Sequence, residues 1–157
     1  MSDSLPLVQH WIDGAVSASA SGRTAPVFDP ALGRQTKSVV LADQAEIDAA
    51  VASAAAAFPG WAATSNAKRQ QVVFAFRELL NARSRELAEI ITSEHGKVVS
   101  DAAGEVARGL EVVDLATGFP HLIKGGYSSN VSTGVDVYSI KQPLGVVGII
   151  SPFNFPA

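Results

Sequence analysis

Gly145-Val146-Val147-Gly148-Ile149-Ile150 runs directly into Ser151-Pro152-Phe153-Asn154-Phe155-Pro156 in a chain of 157 residues. A continuous apolar run of strand length suits a strand buried on both faces, as in a parallel sheet. Parallel strands need neighbours joined by crossover helices, so the fold class expected is α/β. Seven residues follow Ile150, and the chain is therefore expected to be part of a longer protein. In open α/β sheets ligands bind at the carboxyl ends of strands, which puts the loop from Ser151 to Pro156 where a site is built. Two prolines fix that loop, and two phenylalanines flank one amide side chain, Asn154. In a rigid, apolar setting the amide NH₂ is able to donate to a developing oxyanion, because low dielectric strengthens the bond. The same residue type also satisfies backbone groups in ordinary turns.

Upstream of the run the chain turns polar and β-prone. Tyr127 to Val131 and Val135 to Lys141 read as strands joined by Ser132-Thr133-Gly134. Neither has a clean apolar face, so they are expected to sit away from the main core or to pair with another subunit. Helices precede them. Asp43-Gln44-Ala45-Glu46 has the form of a capping box, with Ile47, Val51, Ala54, Ala55 and Phe58 at helical spacing and Pro59-Gly60 expected to stop the run. Ala52 to Ala57 is small enough for another element to approach closely. A second helix is expected from Thr64-Ser65, with Val72, Phe76, Leu79 and Leu80 as its stripe. A capping signal at Ser84 introduces a third, through Leu87, Ile90 and Ile91 to a left-handed cap at Gly96. A fourth runs from about Ser100 through Val106, Leu110, Val113 and Thr117, ending before Pro120. At the start, Trp11-Ile12-Asp13-Gly14-Ala15-Val16 reads as a two-residue hairpin, and Thr36 to Leu41 as a strand.

Twelve Lys and Arg against fifteen Asp and Glu give a net charge of −3, with 17% charged residues. That balance offers no electrostatic footprint for nucleic acid. A hydrophobic content of 47% argues against disorder. The chain has no cysteine, which removes disulfides, thiolate metal sites and a cysteine nucleophile from these residues. His10, His95 and His121 lie far apart without ligand spacing, so no metal is expected. No basic leader or apolar span is present near the N-terminus, and a protein of the cytoplasm, away from the membrane, is expected. Ser65-Asn66-Ala67-Lys68 fits S-x-x-K, but its companion motifs stand in the wrong order and Ser65 is better used as a cap.

Pro143-Leu144-Gly145-Val146-Val147-Gly148-Ile149-Ile150 followed by Pro152-Phe153-Asn154-Phe155-Pro156 resembles the aldehyde dehydrogenase superfamily. Phe153, where most members carry Trp, resembles the CoA-acylating methylmalonate-semialdehyde dehydrogenases. Phe58-Pro59-Gly60-Trp61, Arg69-Gln70-Gln71-Val72, Glu94-His95-Gly96-Lys97 and the segment Gly104-Glu105-Val106-Ala107-Arg108-Gly109-Leu110-Glu111 are similar to the same subfamily. The resemblance implies the N-terminal part of a Rossmann-type enzyme: residues 1–124 as the helical part of the NAD-binding domain, 125–142 as oligomerisation strands, and 143–157 as the first part of the dinucleotide-binding sheet. It implies Asn154 as the oxyanion-stabilising amide and Ser151 and Phe153 as neighbours of the NAD ribose and nicotinamide. It also implies self-association through strands 127–142, a small semialdehyde substrate, and coenzyme A as acyl acceptor. The family's cysteine nucleophile, its glutamate and its glycine-containing cofactor loop are absent from these residues and are expected after Ala157. The chain alone is expected to be inactive.

Arg108 has two readings. Glu105 and Glu111 lie three residues to either side, the spacing of solvated helix pairs, each contributing about 0.2–0.5 kcal/mol. Yet Arg108 is roughly 200° around the helix from Val106 at 100° per residue, off the apolar stripe. A substrate carrying a carboxylate needs a fixed cation, and Arg offers a bidentate fork. The resembled subfamily makes this Arg a candidate carboxylate anchor, and that reading is preferred. A non-acylating aldehyde dehydrogenase and a free-standing helical interaction module are the alternatives; Phe153 and Arg108 count against the first, and a buried-type strand without partners against the second.

Overall fold

The computed structural model describes residues 5–157. Two small sheets come first. Strands β2 (His10–Ile12) and β3 (Ala15–Ser17) form an antiparallel hairpin around Asp13-Gly14. Both turn residues have positive φ, 54° and 73°, as the sequence requires of this turn. Strand β5 (Arg34–Val40) is the middle of a three-stranded sheet, parallel to β1 (Leu7–Val8) and antiparallel to β4 (Thr24–Asp29). Periodicity did not reveal β4, because Pro26 interrupts it and the register shifts between Val27 and Phe28. An edge position tolerates a proline that a central strand would not.

Helix α1 (Gln44–Ala63) opens on the full capping box: Asp43 accepts from the Glu46 N–H, and the Glu46 side chain accepts from the Asp43 N–H. The other Glu46 oxygen accepts from the Ala20 N–H at 2.7 Å, tying the loop after the hairpin to the helix start. Hydrogen bonding from Ser19 and from the Asp43 backbone leads the influences that hold the Glu46 carboxyl at about 2, against an opposing effect of burial. The helix does not stop at Pro59-Gly60. It continues to Ala63, because proline forfeits one backbone bond without dictating the dihedrals after it. Thr64 then closes it, its N–H donating to the Trp61 carbonyl at 3.1 Å. No residue of α1 is buried, so its alanine face is not used for close packing among the described residues.

Ser65 caps α2 (Asn66–Ala82), accepting from the Lys68 N–H at 3.4 Å. Ser84 caps nothing. It is the first residue of α3 (Ser84–His95), whose cap position is Arg83 without a side-chain bond. The reason is continuity: the Arg83 N–H reaches the Leu79 carbonyl and the Leu87 N–H reaches Arg83, so few donors are left to cap. Gly96 ends α3 at φ 85°. Helix α4 (Val99–Thr117) packs against α3, and a short α5 (Phe119–Leu122) holds Pro120 in its first turn.

The core lies between α3 and α4. Ala88 and Ala102 are completely buried and Ile91 and Val106 nearly so, with Leu87 packed against them. Two alanines at the crossing let the helices approach closely. Helix α2 is tied to the end of α4 by Gln70, whose amide donates to the Thr117 carbonyl at 2.7 Å, and by an Arg77–Asp114 pair at 2.8 Å. Its apolar stripe is otherwise open, with Phe76 and Leu79 more than half exposed.

Strands β6 (Tyr127–Ser132) and β7 (Val135–Tyr138) form an exposed antiparallel hairpin. Asp136 holds it together, accepting from the Tyr127 hydroxyl at 2.5 Å and the Asn130 N–H at 2.8 Å. The next segment corrects the sequence reading. Residues 145–150 form no strand, and Ile149 and Ile150 are 84% and 99% exposed. No neighbouring strand lies beside them among the described residues, and a strand is defined by the partner that takes its backbone groups.

Gly96 combines a left-handed φ with crowding: an added Cβ would sit 3.0 Å from Pro30 Cβ. Gly96→Ala is therefore expected to lower stability by roughly 1–2 kcal/mol, the cost of a left-handed alanine. A fall in the urea midpoint at constant slope is the check.

Candidate active site

The α3–Gly96–α4 turn builds the site. Gly96 reverses the chain so that Lys97 leaves the helix end pointing back along α4. Over the first two turns of α4, Ala102, Glu105 and Val106 occupy the buried stripe. A carboxylate there must be paired. Lys97 Nζ lies 2.5 Å from Glu105 Oε2, with side-chain exposures of 13% and 3%. Burial raises the Glu105 proton affinity, but the Lys97 ammonium and the Ala157 N–H outweigh it, helped by His95, and the net displacement is below the usual carboxylate value.

This pair grips the downstream loop. Lys97 Nζ also donates to the Asn154 carbonyl at 3.0 Å and stands 4.9 Å from the centre of the Phe155 ring. The Ala157 N–H donates to Glu105 Oε1 at 2.8 Å. Inside the loop the Phe155 N–H donates to Pro152 at 3.2 Å. The main chain of residues 154–157 is thus anchored at both ends, while the Asn154 side chain stays exposed and makes no hydrogen bond among the described residues.

Of the four residues singled out from sequence, Arg108 and Phe153 line different grooves, and Asn154 and Ser151 expose their side chains on the loop. Arg108 is 82% exposed, 3.8 Å from Glu111, and lines an open groove of about 610 Å³ with Lys97, Asp101, Glu105 and Phe155. Phe153, 90% exposed, edges an apolar groove of about 340 Å³ formed with Leu87, Ile90, Ile91 and His95. Ser151 is exposed. Arg108 therefore shares its groove with the loop through Phe155. Glu105, read from spacing as a surface partner for Arg108, belongs instead to the buried Lys97 pair. Lys97 and Glu105 are the residues that sequence reasoning missed. The available signal was an acidic residue between Ala102 and Val106 on an otherwise apolar stripe.

With the geometry described, the relatives give it a class. Residues 16–157 match the model of the aldehyde dehydrogenase family. The chain belongs to that family. It is 45% identical over 150 residues to malonate-semialdehyde dehydrogenase of Pseudomonas aeruginosa, covering 96% of this chain and 30% of the relative. It is 41% identical over 156 residues to the human mitochondrial acylating methylmalonate-semialdehyde/malonate-semialdehyde dehydrogenase, covering 99% of this chain and 29% of that one. A Sinorhizobium meliloti structure described as a methylmalonate-semialdehyde dehydrogenase complexed with NAD superposes with a TM-score of 0.93 at 45% identity, over 98% of this chain and 31% of its own. The chain thus spans about 30% of the length of the curated relatives it matches, and its fold is that of the N-terminal part of aldehyde dehydrogenases.

The depressed Glu105 value fixes a sign. Its ionised form is favoured in the folded state, so the stabilisation is present above the ordinary carboxylate value of 4.5 and is lost as pH falls through the lower folded value. Acid titration followed at the Ala157 amide resonance is expected to show the loop released only below pH 4.5. A midpoint above that value would contradict the pairing.

Proposed function

We propose that this chain supplies the N-terminal portion of an NAD-dependent, CoA-acylating malonate- or methylmalonate-semialdehyde dehydrogenase. The observation that carries the reading is the groove shared by Arg108 and the Asn154 loop, in a chain 45% identical to a malonate-semialdehyde dehydrogenase. In this reading the Asn154 amide donates to the oxygen that gains negative charge when a thiolate, from residues outside this chain, attacks the aldehyde. Its main chain is held by Lys97, which fixes the point from which the amide reaches toward the reacting oxygen. Arg108 binds the substrate carboxylate through its planar fork and orients the aldehyde toward the amide.

The residues present fit the nicotinamide end of NAD. Phe153 offers an exposed ring and Ser151 an exposed hydroxyl, an apolar face and a polar group two residues apart in the loop. NAD, when bound, takes up the hydride of the oxidation. Phe153 would cover one side of that site and exclude water, and Ser151 would hold a ribose hydroxyl. Coenzyme A as acyl acceptor is supported by the acylating name of the human relative. Loss of CO₂ before acyl transfer belongs to the same reading where the substrate carries a β-carboxylate. Strands β6 and β7, exposed on every residue, are read as the surface for self-association.

Arg108 gives the test, made in the full-length gene product. Arg108→Leu is expected to lower kcat/KM for malonate semialdehyde about 10–10²-fold, the value of a lost charge-assisted hydrogen bond of roughly 1.5–3 kcal/mol. Propanal, which lacks the carboxylate, should change less than about threefold. Equal losses on both substrates would remove the anchor role. CoA dependence of NADH formation separates the acylating reading from simple hydrolysis.

A further inference from the structure

We propose that Lys97 and Glu105 are positioning residues for the oxyanion donor, acting on Asn154 through its main chain rather than through any contact with substrate. The inference rests on the role given above to Asn154.

Three observations converge on it. First, Lys97 uses its ammonium on two acceptors from different parts of the chain, Glu105 Oε2 at 2.5 Å and the Asn154 carbonyl at 3.0 Å. Second, Glu105 divides its oxygens in the same way, Oε2 to Lys97 and Oε1 to the Ala157 N–H at 2.8 Å. Third, the Phe155 ring lies 4.9 Å from the same ammonium, between those two anchor points. The loop from Asn154 to Ala157 is therefore held at its first carbonyl, its aromatic ring and its last N–H by one ion pair. That pair is itself fixed by burial on α4 and by the Gly96 turn.

Chemistry explains why such a device is useful here. An amide stabilises an oxyanion only if it is already aimed when charge appears, and an error of about 1 Å costs on the order of 10²-fold. Among the described residues no hydrogen bond aims the Asn154 side chain, so the anchored backbone is what sets where its Cα–Cβ bond starts and which rotamers reach the reacting oxygen. Lysine suits the task because three N–H donors on a flexible stem can serve the carboxylate and the carbonyl together. Both charges lie away from solvent, so the grip is screened little by salt.

The test uses the full-length enzyme and two independent readings. In Lys97→Met, kcat per active site, with sites counted by the pre-steady-state NADH burst, is expected to fall about 10–100-fold with KM for malonate semialdehyde changed less than about threefold, since the oxyanion contact strengthens only in the transition state. Lys97→Arg should recover most of the loss, because it keeps the cation and its donors. K97M strands the Glu105 charge and endangers folding, so the double variant K97M/E105Q, which leaves no buried charge, is measured beside it and should show the same kcat defect. The second reading is amide hydrogen exchange at Phe155 and Ala157, which should quicken in both variants. A purely structural role would lower the number of active sites and leave kcat per site and the exchange at these amides unchanged, and that result overturns the proposal. If the wild-type enzyme forms no NADH from malonate semialdehyde, the functional reading fails by itself. The exchange still decides whether the grip exists, and unchanged exchange overturns it.

Discussion

A carboxylate on the inner face of a helix has to be answered, and Glu105 is answered by Lys97. An unpaired charge at this depth is strongly unfavourable, and breaking a buried pair by removing one partner costs about 3–5 kcal/mol. The pair forms only if Lys97 stands where Gly96 turns the chain, which requires α3 to end at a left-handed residue packed under Pro30. It also requires α4 to present Glu105 between Ala102 and Val106, on the stripe that meets Ala88 and Ile91. The helix crossing, the reversal and the anchored loop are thus one arrangement. The oxygen and protons that the pair leaves over are spent on Ala157 and Asn154.

Other ion pairs do not compete with it. Arg83–Glu86, Arg85–Glu89 and Arg108–Glu111 lie along exposed helix faces. Pairs of that kind contribute about 0.2–0.5 kcal/mol and weaken with salt. At 3.8 Å from Glu111, the Arg108 guanidinium remains open to a carboxylate entering its groove. The asymmetry is physical: the Lys97–Glu105 pair is buried and committed, and the Arg108 cation is solvated and loosely partnered. The loop divides its groups in the same way, with the Asn154 main chain engaged and its side chain free.

Short-range rules made much of the local structure legible. Asp13-Gly14, the Asp43–Glu46 box, Ser65 and the Gly96 cap were readable because each is decided by residues within a few positions of itself. Where a local signal met a continuous backbone ladder, the ladder prevailed, as at Ser84 and across Pro59. Strand β4 was not legible, since pairing with β5 rather than its own alternation makes it a strand. Glu105 failed for a related reason. Its spacing from Arg108 fits a surface pair, and only the positions of Ala102 and Val106 around it reveal the face on which it lies. Lys97, outside the helices, gave no periodic signal at all.

The run from Gly145 to Ile150 is the sharpest separation of pattern from structure. Its apolar continuity led to the α/β class, which the relatives bear out, yet in this chain it is exposed and unpaired. The two facts agree once pairing is treated as non-local: side chains state what surroundings a segment needs, and a parallel strand exists only beside another strand. The loop beyond it does not wait for that partner. Lys97 and Glu105 seize residues 154–157 from the helical side, through contacts that owe nothing to a sheet. The main chain of the Asn154 loop is thereby referenced to the α3–α4 core, where the buried cluster of the described structure lies, and not to the segment that precedes it.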